Sequence, residues 1–241
     1  MRGLIPGPSE SRESFFERVD RVQSNLSKNN VSSEDWLPAK KITQSLFGFS
    51  PDWVQAQYSN KNLLPWEGAA VWVGFSFNIQ LREKFRKGSY LGIYQRNEVL
   101  AHEAVHAARM AFEEPCFEEV FAYLTSSNRW RKISGPFFRS PKETLFFVLM
   151  LGFSLLGIIF FNDLFGFLPL VILFLGVLRL VGIRRIFSRA FQKCKKIING
   201  NPYAFLLHLT DKEIFLFAEA SQENIYEYVN AQTSIRWEMI R

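Results

Sequence analysis

Cysteine is scarce in this chain of 241 residues: only Cys116 and Cys194 occur, and no CxxC pair is present. That excludes a disulfide framework and zinc-ribbon or thioredoxin-type chemistry, and it suits a reducing compartment. Histidine is almost as rare, with three copies. The opening, MRGLIPGPSESRESFFERVD, has no uninterrupted apolar core, because prolines and charges break it. It does not read as a secretory signal, so the N-terminal region is expected to stay in the compartment where it is made. Internal repeats are absent as well. The length suits one domain of ordinary size plus accessories.

Basic residues are in excess, with a net charge of +6 and a pI near 9.4. Their placement decides what they face. Arg129, Arg131, Lys132, Arg139 and Lys142 precede an apolar stretch, and Arg184, Arg185, Arg189, Lys193, Lys195 and Lys196 follow it. This pattern fits anionic lipid headgroups, and no nucleic-acid partner is expected. The stretch holds two runs, Thr144–Phe161 without a charge and Leu164 to about Ile183 with Pro169 and Arg179 inside it. Each is long enough to cross a ~30 Å hydrocarbon core as a helix. Asn162-Asp163 alone links them, which predicts a transmembrane hairpin over 141–184. With basic flanks and no Lys or Arg at the tip, the positive-inside rule places both termini and residues 102–119 in the cytoplasm. Arg179 snorkels toward that side.

Before the hairpin, residues 1–10 read as a flexible leader. From Ser11 a helix is expected, with Phe15, Phe16, Val19, Val22 and Leu26 on one face and a close at Lys28–Asn30. Ser50-Pro51-Asp52 looks like the start of a short helix. Trp66-Glu67-Gly68 reads as a turn. Ala69–Val73 reads as a buried strand, Phe75–Leu81 as a half-buried one, and Tyr90–Tyr94 as a third. Asn97 is a good cap for a long helix from Glu98 to about Phe112. Pro115 then starts a second helix to about Leu124. After the hairpin, Asn199–Pro202 is a turn. Thr210-Asp211 and Ser221 cap helices over residues 212–220 and 222–231.

The chemistry concentrates in AHEAVHAARMAFEEPCFEEVFAY. Two of the three histidines, His102 and His106, stand four residues apart and so share a helix face. They can aim two imidazoles at one ion, with Glu103 beside them. A zinc-bound water loses its proton far more readily than bulk water, and a nearby carboxylate can take it. This is the chemistry of H-E-x-x-H on a helix, with Glu103 as general base. Zinc needs a third protein ligand and leaves a fourth position to water. Glu113, Glu114, Cys116, Glu118 and Glu119 are the candidates. The first two lie in or just after the same helix, where bending back to the metal is awkward.

His102-Glu103-x-x-His106, a turn, and a glutamate on a second helix resemble the gluzincin group of zinc metallopeptidases. There the ligand glutamate is commonly followed three residues later by a small residue. Glu119 has Ala122 at that place and Glu118 has the bulkier Phe121, which favours Glu119 with Glu118 as the alternative. The connection from His106 is shorter than in thermolysin-like enzymes. Arg109 and Phe112 stand where metzincins have Gly and His. The resemblance covers about residues 90–123. It implies one Zn2+ per chain, hydrolysis of a protein or peptide substrate, and strand Tyr90–Tyr94 as the edge that pairs with it.

Tyr94, Tyr123 and His208 are candidate donors to a transition-state oxyanion. Each is weighed against an ordinary packing role, as is Glu98 against a plain first-turn glutamate. The charges around the motif exclude a catalytic helix that itself spans the membrane. The expected fold is α+β: a small zincin-like sheet, the HExxH helix and the glutamate helix over 1–140, the transmembrane helical hairpin over 141–184, and a basic, helical cytoplasmic tail over 185–241. The expected function is that of a membrane-anchored zinc metalloendopeptidase. The alternatives are a catalytically inactive zincin-like membrane scaffold or binding module, and a metal-dependent hydrolase of a non-peptide bond.

Overall fold

The computed structural model describes residues 3–24, 31–64, 67–73 and 77–240. Leu26, Lys28–Asn30, Trp66, Phe75 and Ser76, to which elements were assigned from the sequence, lie outside them. The chain is 67% helical, with one small sheet and two long apolar helices.

The sheet has three strands: β1 (Gln55–Tyr58), β2 (Ala69–Val73) and β3 (Phe77–Leu81). Strand β3 is central, parallel to β1 and antiparallel to β2, so that Ile79 sits between Ala56 and Val71. Among the described residues β2 pairs only with β3, which leaves its outer edge open. Helix α1 (Arg12–Ser24) and helix α2 (Ser33–Phe47) precede the sheet. Helix α3 (Arg96–Arg109) packs on it and on α2, with Leu100, Ala101, Ala104, Val105, Ala107 and Ala108 all buried. Small residues on that face let helix and sheet approach closely.

Four sequence expectations change here. The first ten residues are not a loose leader: Leu4 and Ile5 are buried, and Arg18 holds the Ile5 carbonyl at 2.9 Å and the Glu10 carboxylate at 2.7 Å. Helix α2 was not anticipated, and Ser50–Asp52 leads into strand β1 rather than a helix. Tyr90–Tyr94 is not a strand. It is the tip of a tight hairpin between β4 (Ser89–Tyr90) and β5 (Tyr94–Gln95), because Leu91 and Gly92 both take left-handed φ values, +54° and +71°. Asn97 is not the cap of α3. Gln95 occupies that place, and the first residue, Arg96, pairs with Asp35 of α2 and reaches the Tyr58 hydroxyl at 3.1 Å.

Beyond α4 (Pro115–Tyr123) and α5 (Arg129–Ser134) come α6 (Pro141–Phe160) and α7 (Leu168–Ile197). Two segments, Lys142–Phe160 and Asp163–Ile197, are long and apolar enough to cross a membrane, and within the most apolar 18-residue stretch of each almost no residue is buried by the rest of the protein. At their base Arg179 grips Glu143 through two bonds of 2.9 Å and donates to the Phe137 carbonyl at 2.6 Å. The second helix does not stop near Ile183. It continues through the basic segment, with Ile183, Phe187, Ala190 and Cys194 buried on one face. That spacing follows the 3.6-residue helical period, so Arg185, Arg189, Lys195 and Lys196 are exposed on the outer side of an amphipathic helix, while Lys193 turns in to the Ala218 and Ala220 carbonyls.

The last helices are α8 (Pro202–Leu207), α9 (Asp211–Glu219), α10 (Gln222–Ala231) and α11 (Ile235–Glu238). Thr210 and Glu213 form a full capping box, and Ser221 caps α10, as their sequence positions predict. Arg236 and Glu213 make a buried two-pronged pair at 2.8 Å. Helix α9 packs on α7 and α8 packs on α2, so one buried cluster runs from Leu4 to Trp237.

Two glycines mark very close approaches. A β-carbon at Gly135 would meet the Tyr123 ring at 2.2 Å, and one at Gly176 would meet the Phe137 ring at 2.5 Å.

Candidate metal centre

Helix α3 ends at Arg109, a single 3-10 turn covers Met110–Phe112, and Glu113 takes a left-handed φ of +52°. Pro115 then opens α4, where its missing N–H costs nothing. This corner folds α4 back onto α3, and the contact is lined by Ala104, Ala108 and Ala122, all buried.

The fold-back brings two glutamates to two imidazoles. His102 Nε2 and His106 Nε2 lie 3.2 Å apart. The Glu119 carboxylate faces both, with Oε2 3.7 Å from the first and Oε1 3.5 Å from the second. Tetrahedral zinc with ligands at about 2.0–2.1 Å requires ligand atoms about 3.3–3.4 Å apart. The three donors therefore stand close to the separations such an ion imposes, and two histidines with one carboxylate match its chemistry. Glu118 does something else: its Oε1 lies 2.7 Å from His106 Nδ1, on the far side of the ring. A carboxylate there fixes the tautomer that leaves Nε2 free for metal. His102 is oriented by a hydrogen bond to the Ala122 backbone and by the Tyr123 ring, edge-on at 4.7 Å.

The geometry separates the two glutamates that sequence spacing left open. Replacing Glu118 by Gln is expected to weaken zinc binding about 10- to 100-fold, as for other partners behind a ligand histidine. Glu119→Gln is expected to weaken it more. Competition titration with a chromophoric chelator reads both, and the reverse order would exchange the roles.

Burial and mutual charge shape the protonation of the cluster. Burial holds His102 well below its ordinary pKa, and the charge on His106 adds to this. Burial also disfavours charge on His106, but the Glu118 bond and the Glu119, Glu118 and Glu103 carboxylates outweigh it and raise the pKa to about 10. Burial pushes Glu103 up, His106 opposes, and the Glu119, Glu118 and Glu67 carboxylates add to the rise, to about 7. A metal ion held between the imidazoles would need His106 Nε2 without its proton, so binding would compete with protonation.

A cavity of about 350 Å³ opens beside His102 and Glu103, lined also by Tyr94, Tyr123, Glu98 and Arg131. A second hollow of about 380 Å³ lies beside His106 and Glu118, under Ala69–Val71. Ala69 borders both, so the open strand β2 runs along a groove above the histidines. Of the candidate donors, Tyr94 and Tyr123 line the first cavity. His208 lines neither hollow. Its Nδ1 is 2.8 Å from the Ala204 carbonyl, and burial lowers its pKa to about 4.

Glu98 proves more than a first-turn residue. It is buried and accepts from the Ser127 backbone at 3.0 Å, the Ser127 and Ser126 hydroxyls, and Arg131 at 2.9 Å. It thus ties the loop after α4 to the histidine helix. Its position one turn before His102 was a usable signal. Arg131, which arrives from a separate helix and lies 5.3 Å over the Tyr94 ring, offered none.

No family model matches this chain, and no curated protein or solved structure matches it.

Proposed function

We propose that the chain is a membrane-anchored, zincin-like zinc metallopeptidase. His102, His106 and Glu119 would hold the ion and Glu103 would serve as general base. One observation carries the reading: two imidazoles and a carboxylate at zinc-like separations with a half-buried carboxyl next to them, at the wall of an open cavity. Bound zinc supplies Lewis acidity and brings the pKa of water down to about 7. Glu103 takes the proton and returns it to the leaving amine. Its elevated pKa suits that exchange, since a group poised near neutrality can both accept and release a proton. Tyr94 and Tyr123 point hydroxyl-bearing rings into the same cavity, as donors to developing negative charge.

An extended substrate is better served by β2 than by the β4–β5 hairpin. Ala69 of β2 lines both hollows and Ala70 and Val71 line the second, and the unpaired side of β2 can add a chain by backbone hydrogen bonds. The two apolar helices act as the anchor, and the basic flanks put the centre on the cytoplasmic face.

The test is elemental analysis of the full chain in detergent, followed by a peptide-hydrolysis assay before and after chelation. About one zinc per chain is expected, with cleavage lost on chelation and restored by zinc. A protein that cannot be loaded with metal would refute the centre. Full loading without cleavage of any peptide would leave a metal-binding membrane scaffold.

A further inference from the structure

Four large apolar side chains stand in the open on the β4–β5 hairpin and on α5, two elements that contribute Leu91 and Arg131 to the cavity lining. Leu91 and Ile93, at the tip of the β4–β5 hairpin, are 66% and 60% exposed. Trp130 and Ile133, on α5, are 79% and 55% exposed. Leu91 and Arg131 both line the cavity bordered by His102 and Glu103, so hairpin and helix are two parts of one rim.

Neither part has an internal reason to be apolar. None of the residues of α5 is buried, and Trp130 and Ile133, three apart, share its outer face. Leu91 holds a φ of +54°, a conformation that costs a residue with a side chain roughly 1–2 kcal/mol and that Gly or Asn would relieve. A strained leucine with its side chain in the open marks a group held out for something beyond the protein.

The surroundings identify that something. Arg129 and Lys132 flank the α5 pair, and the exposed Lys84 and Lys87 lie just before the hairpin. Apolar tips between cations are what an anionic bilayer surface accepts. The patch also continues into the apolar hairpin. Residues 135–140 lead from α5 directly to α6. The Glu143–Arg179 pair closes the apolar surface there, roughly 26 Å from the end of α6 at 1.5 Å per residue. That is close to the ~30 Å of a hydrocarbon core. The six residues 135–140 therefore tether α5 close to that end of the apolar surface.

We infer that Leu91, Ile93, Trp130 and Ile133 form a collar that seats the cavity mouth in the headgroup layer of an anionic bilayer, so that the site receives peptide segments lying at that surface. The substrate half of this inference rests on the peptidase reading; the seating half does not.

Depth measurement tests the seating. Full-length protein carrying Cys116→Ala and Cys194→Ala is given one environment-sensitive probe at Leu91→Cys, Ile133→Cys or, as reference, Leu37→Cys on exposed α2. It is reconstituted in phosphatidylcholine–phosphatidylglycerol vesicles containing doxyl-labelled lipid. Probes at 91 and 133 are expected to be quenched several-fold more than the probe at 37. Equal quenching at all three positions would overturn the collar and leave the patch to a protein partner. The variant Ile93→Ser/Trp130→Ser/Ile133→Ser then tests the substrate class. It is expected to lose cleavage of a lipid-anchored peptide several-fold while cleaving the same peptide without its anchor normally. Equal loss on both would overturn the surface-substrate assignment. Strong quenching with no cleavage of either peptide by the unmodified chain would uphold the seating and overturn the peptidase reading instead.

Discussion

Glu103→Gln is expected to bind zinc as the unmodified chain does and to cleave peptide about 10²- to 10⁴-fold more slowly, the usual effect of removing a general base. The separation of the two properties follows from the geometry. Glu103 is outside the triangle made by His102, His106 and Glu119, so its loss leaves the donors in place. Its half-buried carboxyl is crowded by other carboxylates, and a neutral amide of the same shape relieves that repulsion. The thermal midpoint should therefore hold steady or rise, which rules out unfolding as the source of the lost activity. Zinc content by elemental analysis, kcat/KM and a melting curve on the same preparation decide the matter. Zinc lost together with activity would make Glu103 a ligand. Activity retained would remove it from the chemistry.

Arg109→Ala is expected to destabilise the protein by about 3–5 kcal/mol, the scale for breaking a buried, charged hydrogen-bonded group. Arg109 leaves the last turn of the histidine helix and donates to the Leu207 carbonyl at 2.6 Å and the Leu209 carbonyl at 3.0 Å. Its guanidinium lies 4.3 Å from the Phe112 ring centre and 4.9 Å from that of Phe121. Alanine would leave two buried carbonyls without donors and a void between two aromatic rings. Arg109→Met keeps most of the volume and should cost less. Denaturant titration in detergent measures both. A loss under about 1 kcal/mol for alanine, the size of a surface change, would show that the tail does not depend on this clamp. Because Arg109 fixes the end of the helix that carries His106, weaker zinc binding should accompany the loss.

What could be read from the residues was whatever short-range chemistry dictates. Thr210, Ser221, Pro115 and the four-residue spacing of the histidines each specify local geometry, and the structure shows the elements they imply. Ala122 was informative too, since a small residue permits the close helix contact that brings Glu119 to both imidazoles. The failures have physical causes. Helix α2 hides behind Pro38, a residue that usually ends helices, although Trp36, Ala39, Thr43 and Phe47 keep helical spacing. Strand β1 is only four residues long, so its alternation of Gln55, Ala56, Gln57 and Tyr58 is the shortest run that marks a strand and does not stand out. Tyr90–Tyr94 has strand-like residues, but the left-handed pair at its centre turns it back on itself. The leader looked loose because the pockets that bury Leu4 and Ile5 come from residues distant in the sequence. The role of Glu118 needed a third dimension, since only folding shows which side of the His106 ring each carboxylate meets.

The close approaches at Gly135 and Gly176 bear on which sequences this protein can tolerate. Gly176 in α7 touches Phe137, Phe137 lies two residues from Gly135, Gly135 touches Tyr123, and Tyr123 lies against His102. At two points in this series an added β-carbon meets an aromatic ring, and the relay runs from an apolar helix to an imidazole of the candidate metal centre. A single added methyl at either glycine would push an aromatic ring, and through Tyr123 the displacement ends at the donor atoms. These two positions, which carry no chemistry of their own, are thus nearly as intolerant of substitution as the histidines.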